Sequence, residues 1–96
     1  MSVKVITILH CNHDAEDTFE QELKRLVEAS VHDEGCIEYQ LNQYKDEPCC
    51  YIIIACWQNE KALIKHRETR HYKHFVRVIP VLLLQPPHIK TLVRLA

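Results

Sequence analysis

The apolar positions of the chain fall into four strand-like and three helix-like stretches. Residues 3–11 are rich in β-formers (Val3, Val5, Ile6, Thr7, Ile8) and predict a strand. Asn12 and Asp14 then offer helix N-caps, and Asp14, Glu16 and Asp17 suit the positive end of a helix. Phe19, Leu23, Leu26, Val27 and Ser30 recur at helical spacing, leaving Glu20, Glu22, Lys24, Arg25 and Glu28 outside. Gly35 stands where a left-handed C-cap would close that helix. Residues 36–45 alternate, with Ile37, Tyr39 and Leu41 against Glu38, Gln40 and Asn42, the pattern of a half-buried strand. Asp46, Glu47 and Pro48 predict a turn. Residues 49–57 then run CCYIIIACW, apolar on both faces. Asn59 can cap a helix that turns Ala62, Leu63 and His66 inward. Thr69 can cap another, with Tyr72, Phe75, Val76 and Ile79 inward. Pro80, Pro86 and Pro87 end it and force an extended connection. Residues 88–96 alternate once more, Ile89, Thr91, Val93 and Leu95 against His88, Lys90 and Arg94.

The order is βαββαβ with the second helical segment broken in two, which predicts an α+β, ferredoxin-like sandwich. Helices cover one face of such a sheet and leave the other open. A strand apolar at every position wants both faces dry, and the chain has no spare helices for the second one. At about 25 cal/mol per Å² of apolar surface, the uncovered face is a strong drive to association. A homodimer packed through sheet faces is therefore expected.

Composition narrows the function. The 96 residues read as one domain, 1–96, with 47% hydrophobic and 26% charged residues, an ordinary globular mixture. Twelve Lys and Arg against 13 Asp and Glu leave a formal charge of −1, so nucleic acid is not an expected partner. Gly35 is the single glycine, and neither a dinucleotide fingerprint nor a phosphate loop can be written with one glycine. The five cysteines, Cys11, Cys36, Cys49, Cys50 and Cys56, are odd in number and lack zinc or scaffold spacing. They read as reduced thiols of a cytoplasmic protein. Residues 1–11 lack the pattern of a signal peptide, and no apolar run approaches the roughly 20 residues that span a bilayer, so no membrane association is expected.

Gly35-Cys36, Tyr39, Trp57 and the stretch His66-Arg67-Glu68-Thr69-Arg70-His71-Tyr72 together resemble the antibiotic biosynthesis monooxygenase family of dimeric α/β barrels. The resemblance runs over nearly the whole length. It implies a Gly-Cys entering the second strand, a Tyr three residues on, a Trp closing the third strand and then H-x-x-[Ser/Thr]-x-H. It also implies members that oxygenate quinols or polyphenols without a cofactor, with others that degrade haem or process a phosphorylated autoinducer. Three positions depart from the pattern. Ala55 stands where the family often has an acid, and Arg70 where it often has proline. The first strand has no asparagine, and the tryptophan and axial histidine of the haem-degrading branch would fall near His66 and Val76. Haem is therefore not an expected cofactor.

His66 follows Ala62 by four residues and Leu63 by three, which puts it on the inward face of its helix. On one straight helix His71 would lie about 140° round from it. A new helix capped by Thr69 bends the axis, so that both imidazoles can edge one cavity between helices and sheet. His71 then sits at the positive helix end, which favours neutral imidazole. His66 and His71 are the candidate catalytic residues. Trp57, Tyr39 and Tyr72 are the candidate substrate walls, with Phe19 and Phe75 as apolar lining; each also has a packing role open to it. Such a pocket would deprotonate a small quinol or polyphenol, which can then react with molecular oxygen without a cofactor. Two other functions fit the same residues. One is an isomerase or processing enzyme of a small carbonyl or phosphorylated metabolite, with Arg67, Arg70 and Lys73 holding phosphate. The other is a non-catalytic stress-response ligand-binding barrel. His10, Cys11 and His13 lack a fourth ligand at a strand–helix junction, and no metal is expected.

Overall fold

The computed structural model describes residues 1–96. Its elements are β1 (Val3–His10), α1 (Glu16–Ser30), β2 (Cys36–Tyr44), β3 (Glu47–Trp57), α2 (Glu60–Arg67), α3 (Arg70–Val78) and β4 (His88–Val93). Short 3-10 turns at His13–Ala15 and Ile79–Leu82 precede α1 and follow α3. The four strands form one sheet in the order β2-β3-β1-β4, with every neighbouring pair antiparallel. This is the ferredoxin-like α+β order expected from the apolar pattern.

Register decides which side chains meet the helices. Val3, Val5 and Leu9 of β1 pair with Trp57, Ala55 and Tyr51 of β3, and all six are buried on the helix-covered face. Tyr39 of β2 joins them opposite Ala55. From above, α1 adds Phe19, Leu23 and Leu26, and the Phe19 ring tilts against Tyr51 at 5.3 Å. The intervening residues face the other way. Ile6 pairs with Ile54 and Ile8 with Ile52, and these four form a half-buried apolar strip that no element of the chain covers. Polar residues border the strip: Gln40 and Asn42 on β2, Lys90 and His88 on β4.

Several local expectations change, among them those for Ile37, which a bulge at the start of β2 leaves exposed, and for Glu47 and Pro48, which belong to β3. Helix α1 ends at Ser30, five residues before Gly35, and it starts at Glu16 after a turn that Asn12 does not cap with its side chain. Gly35 instead belongs to the tight turn at residues 31–35, where its φ of 79° is open to glycine at little cost. A Cβ there would come within 2.5 Å of the Ala62 Cβ on α2, so the same glycine lets helix and turn close together. Val76 lies on the exposed side of α3, because the 3-10 turn after Val78 carries Ile79 into the core in its place. The caps of the other two helices stand as expected. Asn59 Oδ1 accepts from Ala62 N at 2.9 Å, and Thr69 Oγ1 accepts from Tyr72 N at 3.3 Å.

Gly35→Ala should lower unfolding stability by about 1–3 kcal/mol, since it adds both a positive-φ penalty and a clash with Ala62. Urea unfolding of the two proteins measures this, and equal midpoints would contradict the role assigned to the glycine.

Candidate functional site

Three segments remote in sequence meet beside Trp57. The 31–35 turn supplies Asp33, held because its N–H donates to Ser30 O at 3.0 Å and its carbonyl accepts from Cys36 N at 3.1 Å. The last turn of α2 supplies His66, and the first turn of α3 supplies His71. Thr69 makes the bend between the helices. Its hydroxyl donates to His66 O at 2.6 Å, its N–H donates to the same carbonyl at 3.1 Å, and its oxygen caps α3. The helix axis is thereby redirected between the two histidines.

The result is a shared hydrogen bond. Asp33 Oδ2 accepts from His66 Nδ1 at 2.7 Å and from His71 Nε2 at 2.8 Å. His66 is 3% exposed and stands among aromatic rings, with Trp57 at 4.5 Å, Tyr72 at 4.9 Å and Tyr39 at 5.4 Å between ring centres. Burial lowers the His66 pKa below the usual 6.5, while its hydrogen bond to Asp33 and that carboxylate's charge pull in the opposite direction. The imidazole is therefore neutral at pH 7. With Nδ1–H committed to Asp33, its other nitrogen keeps a lone pair, the arrangement that orients a general base. Burial likewise pushes the Tyr39 hydroxyl far above its ordinary value, so it stays protonated.

A small cavity of about 30 Å³ lies beside His66, between the sheet and the two short helices. Tyr39, Trp57, Tyr72, Ala55 and Thr7 are among its walls, and Arg67 and Ile89 also border it. The indole N–H of Trp57 is buried and makes no hydrogen bond. An orphan donor of this kind costs about 1–3 kcal/mol and would gain a partner from a ligand oxygen. Ala55 turns a methyl group into the cavity where the family pattern often has an acid, and the carboxylate touching the histidine comes from Asp33 instead.

The candidate residues are thus only partly united. His66, Tyr39, Trp57 and Tyr72 share the cavity. The His71 ring centre lies 5.9 Å from that of His66, but His71 borders a separate groove with Phe75 and Leu26. Phe75 reaches the cavity only through Tyr72, whose ring centre is 6.0 Å away. Phe19 is not brought there: it is wholly buried against Tyr51 between α1 and β3. Of the three basic residues, Arg67 borders the cavity, whereas Arg70 and Lys73 face a polar groove with His74 and Arg77. Asp33 is the residue the sequence pattern missed. Its one signal was a carboxylate in the turn ahead of the Gly-Cys pair. Asp33, His66 and His71 also offer one oxygen and two nitrogens within 4.8 Å of one another, a set able to ligate a divalent cation. As they stand, two N–H groups occupy that oxygen.

A ferredoxin-like α+β domain with an imidazole-edged cavity beneath its helices is the class these features define. The chain belongs to the antibiotic biosynthesis monooxygenase family, whose profile matches residues 2–78. It is 32% identical over 60 residues to YcnE of Bacillus subtilis (strain 168), a match spanning 62% of this chain and 63% of that protein. Among solved structures, PA3566 from Pseudomonas aeruginosa is 30% identical with a TM-score of 0.92, covering 99% of this chain and 95% of that one. Rv0793 from Mycobacterium tuberculosis superposes with a TM-score of 0.96 at 23% identity, covering 100% and 97%, a likeness of fold.

Because Asp33 raises the His66 pKa, Asp33→Ala should lower it further, as an NMR titration of the histidine would read. The linkage has a definite sign. The unfolded histidine takes up its proton near 6.5, before the folded one does, so the stability owed to neutral His66 is present above pH 6.5 and is lost as pH falls through the folded pKa. Urea unfolding between pH 7 and 5 should show that loss in the native protein, and a smaller one in His66→Gln.

Proposed function

We propose that this protein is a cofactor-free monooxygenase acting on a small quinol or polyphenol, with His66 as its base. The observation that carries the reading is the hydrogen bond between half-buried Asp33 and buried His66, whose free ring nitrogen belongs to a side chain bordering an aromatic, mostly apolar cavity. Membership of the monooxygenase family supports it. Asp33 holds the ring and one tautomer; His71, through its bond to the same oxygen, is a positioning residue.

The chemistry needs little more. His66 takes the phenolic proton, and desolvation among Trp57, Tyr39 and Tyr72 keeps the resulting anion reactive. The anion passes one electron to molecular oxygen, and the phenoxyl and superoxide radicals combine into a carbon–oxygen bond. Loss of water from the hydroperoxide, with His66 returning the proton, leaves a new carbonyl. The substrate supplies both electrons, and one oxygen atom leaves as water. The Trp57 N–H, which has no partner in the protein, would be satisfied by an oxygen of substrate or peroxide.

The cavity has room for about one or two water molecules, so an aromatic substrate must displace part of its wall. Arg67 is exposed and Tyr72 half-buried, so they have less packing to lose in admitting one than the buried residues of the wall. The small volume also favours a second reading, a barrel already filled by its own side chains and without turnover. Oxygen uptake with a panel of hydroquinones separates the two. Wild type should consume oxygen and form the hydroxyquinone that carries one added oxygen atom, His66→Ala should lose at least about 100-fold in kcat, and His71→Ala and Asp33→Ala should lose less. No uptake by wild type, or an undiminished rate in His66→Ala, defeats the oxygenase; turnover under nitrogen would point to proton transfer alone.

The functional unit we propose is a homodimer closed through the strip of Ile6, Ile8, Ile52 and Ile54. Burying this strip against a second copy would dry both faces of β3. Sedimentation of wild type at micromolar concentration should give the dimer mass, and Ile54→Glu, which plants a charge in the strip, should give the monomer.

A further inference from the structure

A second cluster of reactive side chains lies at the opposite end of β3 from Trp57 and shares no residue with the cavity around His66. Adjacent Cys49 and Cys50 point to opposite faces of the sheet, as strand geometry requires. On the helix side, Cys49 Sγ donates to Glu16 Oε1 at 3.1 Å and lies 3.6 Å from His13 Nδ1. The sulfur, carboxylate and imidazole donors all fall within 4.8 Å of one another. Cys11 N donates to Cys49 O at 2.9 Å, which ties the end of β1 to this cluster. The sequence at this junction shows Cys11, His13 and Glu16 close together, and the fold brings the missing thiol from β3.

We infer that Cys49, His13 and Glu16 form a zinc-binding site. The donor set is the mixed sulfur, nitrogen and oxygen type that zinc accepts and that purely oxygen-seeking cations do not favour. Zinc–sulfur and zinc–nitrogen bonds of about 2.3 and 2.05 Å at a tetrahedral angle put sulfur and nitrogen about 3.5 Å apart. The observed separation of 3.6 Å matches that edge. The shorter contact to Glu16 is held by the thiol proton, which the metal would displace. Three protein donors leave a fourth position, and the cluster adjoins a groove of about 340 Å³ bordered by His13 and Cys49 and also by His10, Glu47 and Cys50. The three ligands come from the 3-10 turn, the start of α1 and the start of β3, so zinc would clasp helix to sheet at this end.

Cys50 forms a comparable group with His10 and Glu47 on the uncovered face of the sheet, its sulfur 3.5 Å from His10 Nε2. It meets the same donor and distance criteria, and what separates the two is access: Cys50 is buried, whereas Cys49 is half-buried beside the exposed His13, so Cys50→Ser tests the choice between them. The probe is cobalt(II) added to fully reduced protein, followed by zinc. One equivalent of cobalt should produce thiolate-to-cobalt charge transfer and the intense visible bands of four-coordinate cobalt, both abolished by zinc. Cys49→Ser should remove the charge transfer, and His13→Ala should weaken zinc binding by at least about 10–100-fold. Cys50→Ser should leave the spectrum unchanged. Zinc should also raise the melting temperature of wild type and not that of Cys49→Ser. His13 is exposed, so its variant keeps the test decisive if Cys49→Ser folds poorly. Absent charge transfer in wild type, charge transfer that survives Cys49→Ser, or its loss in Cys50→Ser with retention in His13→Ala would overturn the assignment.

Discussion

One carboxylate oxygen accepts hydrogen bonds from two imidazoles on two helices, and the candidate site is organised around that contact. Asp33 Oδ2 ties the 31–35 turn to the end of α2 and the start of α3 at 2.7 and 2.8 Å. Each N–H placed there would otherwise be poorly satisfied, and burial without a partner is what a folded chain avoids. The carboxylate also fixes which nitrogen of His66 carries the proton. Remove it and the helices would still pack through Leu63 and Ile79, but the imidazole among Trp57, Tyr39 and Tyr72 would lose its orientation.

The same sheet serves different ends on its two faces. On the helix side the alternate residues of β1 and β3 build the core and wall the small cavity. On the other side Ile6, Ile8, Ile52 and Ile54 make a strip without a cover. A period of two along the strand separates these jobs residue by residue, so a one-residue slip in register would exchange core and strip. Gln40 and Asn42 of β2 and His88 and Lys90 of β4 flank the four isoleucines on either side.

Local features were readable from the chain because their causes are local. Asn59 and Thr69 cap helices through a side chain and an N–H three residues on, and a window of a few residues contains the whole interaction. The inward turn of His66 followed from its spacing to Ala62 and Leu63 for the same reason. Asp33 was hidden because its partners are 33 and 38 residues away, and a carboxylate in a polar turn ordinarily looks solvated. Phe19 and Tyr39 could not be told apart by pattern. Both are inward aromatics, and which one reaches the cavity depends on how α1 lies across β3.

Cys49 teaches the same lesson from the other end of the strand. Its thiol was countable in the sequence, but the histidine and glutamate it touches are 36 and 33 residues distant. By itself the sequence determined the order of elements, the two caps that break the second helical segment, the doubly apolar central strand and the inward histidine, all set by periodicity and short-range hydrogen bonding. Only the tertiary structure decided that Asp33 would join the two histidines, that the cavity would be so small, and that Gly35 would serve a turn against Ala62 and not a helix cap. Those outcomes rest on distances between residues that the chain separates, and packing alone sets such distances.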